Sequence, residues 1–129
     1  MPQTVDKQQA LHQFFSGFGL DARDENTVPD DAMTRFGGKY LTYGVTTAAL
    51  DEPVSLYANL WYRDTSWAEI TSMANSISEA IGIGGVVIPY DGGYLWVCRG
   101  VPFSQRLDSG EPTIRRIYIN LRAEYLSAD

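Results

Sequence analysis

Trp61-Tyr62-Arg63-Asp64-Thr65-Ser66-Trp67-Ala68-Glu69-Ile70 carries the end of a strand into the start of a helix, and the order of the surrounding elements is set by this transition. Ser66 with Glu69 three residues later has the form of a capping box, in which each side chain satisfies the other residue's backbone N–H. Such a cap is worth about 1 kcal/mol. Behind it Ile70, Met73, Ala74, Ile77 and Ile81 recur at helical spacing, and Gly82 can adopt the left-handed turn that ends a helix. Burying the large members of that stripe is worth roughly 6–10 kcal/mol gross, an upper bound from transfer energies. A helix apolar on one side needs a surface to lie on, and the flanking segments supply it.

Upstream, Val54 to Arg63 alternates cleanly. Val54, Leu56, Ala58, Leu60 and Tyr62 share one face, and Ser55, Tyr57, Asn59, Trp61 and Arg63 share the other. Tyr40 to Ala49 is a second strand, joined through the turn Asp51-Glu52-Pro53 as an antiparallel hairpin. A first helix is expected from Thr4, its N-cap, to about Gly17, with Leu11, Phe14, Phe15 and Phe18 as its stripe and Asp6 in its first turn. Leu20 to Gly38 loses all periodicity and reads as a long surface loop.

Downstream, Val86 to Tyr90 is a short strand that Pro89 confines to an edge. Asp91-Gly92-Gly93 turns the chain into a return strand, Tyr94 to Arg99. Gly100 to Pro112 reads as a second long loop. The last strand, Ile114 to about Tyr125, puts Ile117, Ile119, Leu121 and Ala123 on one face and Arg116, Tyr118, Asn120, Arg122 and Glu124 on the other. The expected architecture is a single α+β domain over residues 1–129: a mostly antiparallel five-stranded sheet with two helices on one face, in the order α-β-β-α-β-β-β.

Composition narrows the function. The 129 residues carry a formal charge of -6, with 44% hydrophobic and 20% charged residues. That balance is globular and lacks the strong basic surface of a general nucleic-acid binder. Apolar runs are too short to span a bilayer. The first residues lack the basic-then-apolar order of a secretory signal. The one cysteine, Cys98, cannot form an internal disulfide, which points to a reducing compartment.

No residue pattern points to catalysis, a cofactor or a metal. His12, the one histidine, lies beside an apolar helical stripe without metal-ligand spacing around it, and reads as structural. Cys98 follows Trp96 and Val97 on a strand and reads as a small core residue, with Arg99 on the opposite face. Gly82-Ile83-Gly84-Gly85 follows a helix instead of opening one and lacks the lysine of a phosphate loop, so it reads as a helix cap and turn. Asp21, Asp24, Glu25, Asp30 and Asp31 lack the spacing of a calcium loop and read as solvated. The uneven feature is arginine: Arg99, Arg106, Arg115, Arg116 and Arg122 fall in the last third of an acidic chain. Arginine and large aromatics are enriched at protein interfaces. The candidate partner surface is therefore Tyr57, Trp61, Arg99, Arg106, Arg116 and Tyr118, on the outward sheet face and the second long loop.

The sequence resembles the tail-terminator (minor capsid, tail-completion) proteins of long-tailed phages and prophages. The resemblance is carried by Leu60-Trp61-Tyr62-Arg63 leading into Ser66-Trp67-Ala68-Glu69-Ile70, by Ile77 to Gly85, by Arg99-Gly100-Val101-Pro102-Phe103-Ser104-Gln105-Arg106, and by Ile114-Arg115-Arg116-Ile117-Tyr118-Ile119-Asn120. It runs from about Leu11 to Leu126 and leaves the Gly19 to Gly38 loop unmatched. The resemblance implies a structural virion protein without enzymatic activity or cofactor. Such subunits form a hexameric ring on the end of the tail tube, sometimes staying monomeric until they meet it. The ring stops tail polymerisation and joins the tail to the head connector. The implied partners are further copies of the chain, the major tail tube protein and the head connector protein, with DNA passing through unbound and no membrane contact. The implied location is the virion tail, assembled in the bacterial host cytoplasm. Two alternatives compete with it: a head-completion or neck protein, and a small ligand-binding α+β domain.

Overall fold

A computed structural model of the chain describes residues 7–46 and 54–127. Ten-residue α1 (Lys7–Ser16) leads into a three-residue strand, β1 (Ala22–Asp24), a 3₁₀ turn (Glu25–Thr27) and one turn of helix, α2 (Ala32–Arg35). Strands β2 (Lys39–Thr46) and β3 (Val54–Arg63) follow, then α3 (Ala68–Ile81), β4 (Val86–Tyr90), β5 (Gly93–Leu107) and β6 (Ile114–Ser127). The six strands form one sheet in the order β1-β2-β3-β6-β5-β4. Every pairing is antiparallel except β1 with β2. The α+β class stands, with six strands where five were expected and with one parallel edge.

The alternation of β3 translates directly into burial. Leu56, Ala58, Leu60 and Tyr62 are buried, as are their neighbours Leu41 and Tyr43 on β2 and Ile117, Ile119 and Leu121 on β6. On this inner face lies α3, whose Ile70, Ala74, Ile77 and Ile81 are buried along a single stripe. Leu11 and Phe15 of α1 belong to the same core, with Phe15 stacked on Tyr43 at 4.9 Å between ring centres. Both longer helices thus cover one face, as the sequence predicts. A flat six-stranded sheet would hold its edges about 24 Å apart, beyond the roughly 15 Å length of a ten-residue helix. Yet α1 lies against both β1 and β4, the two edges. The sheet is curled, and α1 bridges the gap that the curl leaves.

Four local expectations are corrected. The segment 20–38 is not a structureless loop, because β1 pairs alongside Leu41–Tyr43 and α2 buries Ala32 and Met33. These elements are too short for periodicity to reveal, and pairing with the sheet supports them. The second long loop shrinks to 108–113, because β5 continues to Leu107 through a bulge between Arg99 and Ser104. There Gly100 passes so close to Asn120 that a Cβ would meet its side chain at 2.5 Å, while Asn120 Nδ2 donates to the Pro102 carbonyl at 3.3 Å. Glycine and a bonded asparagine let the strand swell and resume. The capping box takes another form: Asp64 accepts from the Ser66 N–H at 2.9 Å, and Ser66 Oγ accepts from the Ala68 N–H at 3.1 Å. The helix therefore starts two residues after Ser66, with consecutive side-chain turns in place of the reciprocal pair. Cys98 is half-buried on the outer face opposite Arg122, and Arg99 turns inward. Thr4, Asp6, and the Asp51-Glu52-Pro53 turn lie outside the described residues.

The burial map sets the expected stability effects. Ile77→Ala should lower unfolding stability by about 2–5 kcal/mol in urea denaturation. Val101→Ala, at a side chain 94% exposed in the bulge, should stay within about 0.5 kcal/mol. Equal losses at the two positions would contradict the assigned core.

Candidate functional site: the outer sheet face and its rim

The outer face is built in cross-strand rows. One row is Tyr40–Trp61–Arg116, the next Thr42–Asn59–Tyr118, and the third Gly44–Tyr57–Asn120. In the first, Tyr40 stacks on Trp61 at 6.0 Å and 11°, and the Arg116 guanidinium lies over the indole at 4.9 Å. Trp61 Nε1 donates to Thr42 Oγ1 at 3.0 Å, and Arg116 Nε donates to Asn59 Oδ1 at 2.9 Å. Each contact is worth on the order of 1 kcal/mol, the charged Arg116–Asn59 bond somewhat more. Their linkage fixes the side chains in one arrangement.

In the third row Gly44 leaves the space that Tyr57 occupies; a Cβ there would meet the phenol oxygen at 2.5 Å. The Tyr57 ring stacks on Tyr118 at 6.0 Å, and its hydroxyl donates to Glu25. Phe36, at the other end of the same covering segment, packs against Tyr40, with the Arg23 guanidinium 5.0 Å from its ring centre. Residues 25–36 are thus anchored on the outer face at both ends. Between the anchors, Thr42 and Asn59 are buried. Tyr57 and Trp61, expected on an open face, are half-buried beneath the chain's own segment. Tyr118 and Arg116 are half-buried at its border.

The other two candidate residues lie elsewhere. Arg99 is on the inner side, where Nη1 donates to Ser78 Oγ of α3 at 2.9 Å. It ties helix to sheet and is not part of the outer face. Arg106 is on strand β5 instead of a loop, exposed, with its guanidinium 4.8 Å from the centre of the Trp67 ring. Arg115 approaches the same ring at 5.3 Å and donates to the carbonyls of Pro112 and Thr65 at 3.1 and 2.8 Å. This rim, where β5 and β6 meet the start of α3, is one that sequence reading touched only at Arg106. Trp67 was legible as part of the helix start but not as the platform for Arg106 and Arg115, which lie far along the chain.

A further surface was missed entirely. Tyr94 and Trp96 of β5, Val87 of β4 and Leu126 of β6 are 46%, 36%, 53% and 40% exposed and fall on neighbouring outer positions. Trp96 is oriented by its Nε1–H, which donates to the Gly84 carbonyl at 2.9 Å. The alternation of Tyr94-Leu95-Trp96-Val97 was the available signal, since Leu95 and Val97 are buried. Chemistry-bearing side chains stay dispersed: His12 is exposed and shares hydrogen bonds with Tyr43 and Ser16. Among the described residues no three of His, Cys, Asp and Glu converge as a metal site.

Among solved structures, a chain of the virion of a native gene transfer agent particle superposes with a TM-score of 0.62, at 18% identity, covering 92% of this chain and 90% of its own. The chain shares its fold with a virion component. A second solved chain gives a TM-score of 0.64 at 14% identity, covering 95% of this chain and 94% of its own. No family model and no curated protein matches the sequence. The likeness is one of fold, and it spans the curled sheet and helices together.

The outer-face network makes a spectroscopic prediction. The hydrogen bond to Glu25, then burial, then the nearby charges of Glu25, Tyr118 and Asp24 push the Tyr57 phenol up to about 12. Because the folded value is raised, this stabilisation is present below the ordinary tyrosine value of about 10 and is lost as pH climbs through the folded value. Ultraviolet titration should show one tyrosine ionising near the upper value, moving down toward the ordinary one in Glu25→Gln. Identical titration curves for the two proteins would contradict the contact.

Proposed function

We propose that this chain is a structural component of a phage or prophage virion, a tail terminator that works by contact and not by catalysis. The observation that carries the reading is the fold likeness to a gene transfer agent virion chain over nearly the whole length of both. It agrees with the sequence resemblance to tail terminators, drawn from different features. In this reading, copies close into a hexameric ring on the tail tube, occupy the surface where the next tube subunit would add, and present a second surface to the head connector. A ring needs two different patches on every subunit. The half-open outer face around Arg116 and Tyr118 and the Trp67 rim with Arg106 supply two distinct surfaces; Tyr57 and Trp61 stiffen the first from beneath. DNA passes through the ring unbound, which suits an acidic chain that repels phosphate. The virion tail, built in the host cytoplasm, is its place of work.

Electron microscopy of particles assembled without this chain tests the reading. Overlong or headless tails are the expected outcome. Normal-length tails beside filled heads that leak DNA would overturn termination and favour a neck role.

A further inference from the structure

We infer that the Trp67 rim is a docking site for the acidic Asp21–Asp31 segment of a second copy of this chain. The inference deepens the proposed function and rests on its premise that copies meet side by side.

The two surfaces are complementary in charge and are held apart within one molecule. At the rim, Arg106 and Arg115 flank one indole at 4.8 and 5.3 Å. The positive end of the α3 dipole points to the same place, since Trp67 immediately precedes the helix. Three positive features converge there, and among the described residues neither arginine forms an ion pair. Two ion pairs among the described residues, Arg23 with Asp21 and Arg35 with Asp31, lie at the other margin of the sheet. Arg115 spends its Nη groups on the Pro112 and Thr65 carbonyls and so holds the platform in place. Arg106 is exposed, makes no hydrogen bond among the described residues, and is the group on display. Asp108 and Glu111 border the groove on the Arg115 side, and Glu69 lies in the first turn of α3, so the unopposed charge is concentrated at Arg106.

At the opposite margin, Asp21 pairs with Arg23 and Asp31 with Arg35, Asp24 accepts from the Asn26 N–H, and Glu25 accepts from Tyr57. Asp30 is exposed and has no partner among the described residues. Strands β2, β3 and β6 lie between β1 and β5 in the sheet, and among the described residues no ion pair joins the two patches within one molecule. Two copies placed edge to edge can join them. The resulting contact is head-to-tail, with unlike patches meeting, and it leaves a free patch at each end for the next copy.

Sedimentation at high protein concentration, between about 0.02 M and about 0.5 M salt, tests this directly. Wild type should self-associate at low salt and lose that association at high salt. Arg106→Glu and Asp30→Arg should each weaken it by at least about tenfold, because like charges then face each other. The double variant Arg106→Glu/Asp30→Arg, with both charges exchanged in one chain, should recover most of it. Circular dichroism confirms that each variant is folded. A wild type that stays monomeric at every salt, or a double variant no better than the singles, overturns the inference. Tail length in assembled particles reports separately on the proposed function, so the two can fail independently.

Discussion

The fold depends on covering one apolar face of a curled sheet. Leu56, Leu60, Ile119 and Leu121 would be exposed to water without the Ile70–Ile81 stripe of α3 above them. Curling brings edge strands β1 and β4 within reach of α1, which closes the side that α3 leaves open. Arg99, bonded to Ser78, fastens α3 to the sheet from the β5 side. With the inner face committed in this way, the outer face, the strand margins, the turns and the solvent sides of the helices are left, among the described residues, to meet other molecules.

The outer face is divided. Over β2 and β3, the segment from Glu25 to Phe36 is pinned by Tyr57 and Tyr40, and the aromatic and amide side chains beneath it are locked in one geometry. Over β6, β5 and β4 the face is open and carries Tyr94, Trp96 and Leu126. A plate that is rigid on one half and exposed on the other suits a subunit that must present the same surface in every copy. In the proposed contact between copies, the arginine rim would offset the self-repulsion of an acidic chain by meeting a neighbour's acids.

Much of the frame was legible in the residues. Strand β3 has the limits its alternation predicts, Val54–Arg63, and α3 ends at Gly82 as its stripe requires, because long periodic elements bury whole faces. Short elements were not legible. β1 and α2 owe their existence to β2 and to Tyr40 and Tyr57, partners distant in sequence. The bulge at Gly100–Phe103 imitates a loop in composition, yet β5 resumes beyond it because β6 runs alongside throughout. Cys98 and Arg99 exchanged expected environments for a simple reason. Strand parity counted from Leu95 and Val97 sends Cys98 outward, and residue type alone suggested the reverse. The candidate interface divided in the same way: Arg116 and Tyr118 lie on the outer face as expected, Arg99 turns inward to Ser78, and the setting of Arg106 depends on Trp67, which only folding brings near.

In the proposed reading the inner face serves the fold, and the outer face and rim serve assembly. A density map of the assembled particle at side-chain resolution tests it most directly. The expected result is copies of this chain in one virion layer, with the apolar stripes of α1 and α3 buried within each subunit and intersubunit contacts falling on β5, β6, the Trp67 rim and the Asp21–Asp31 margin. Subunits joined through opened helices, or a particle in which this chain is absent, would contradict it.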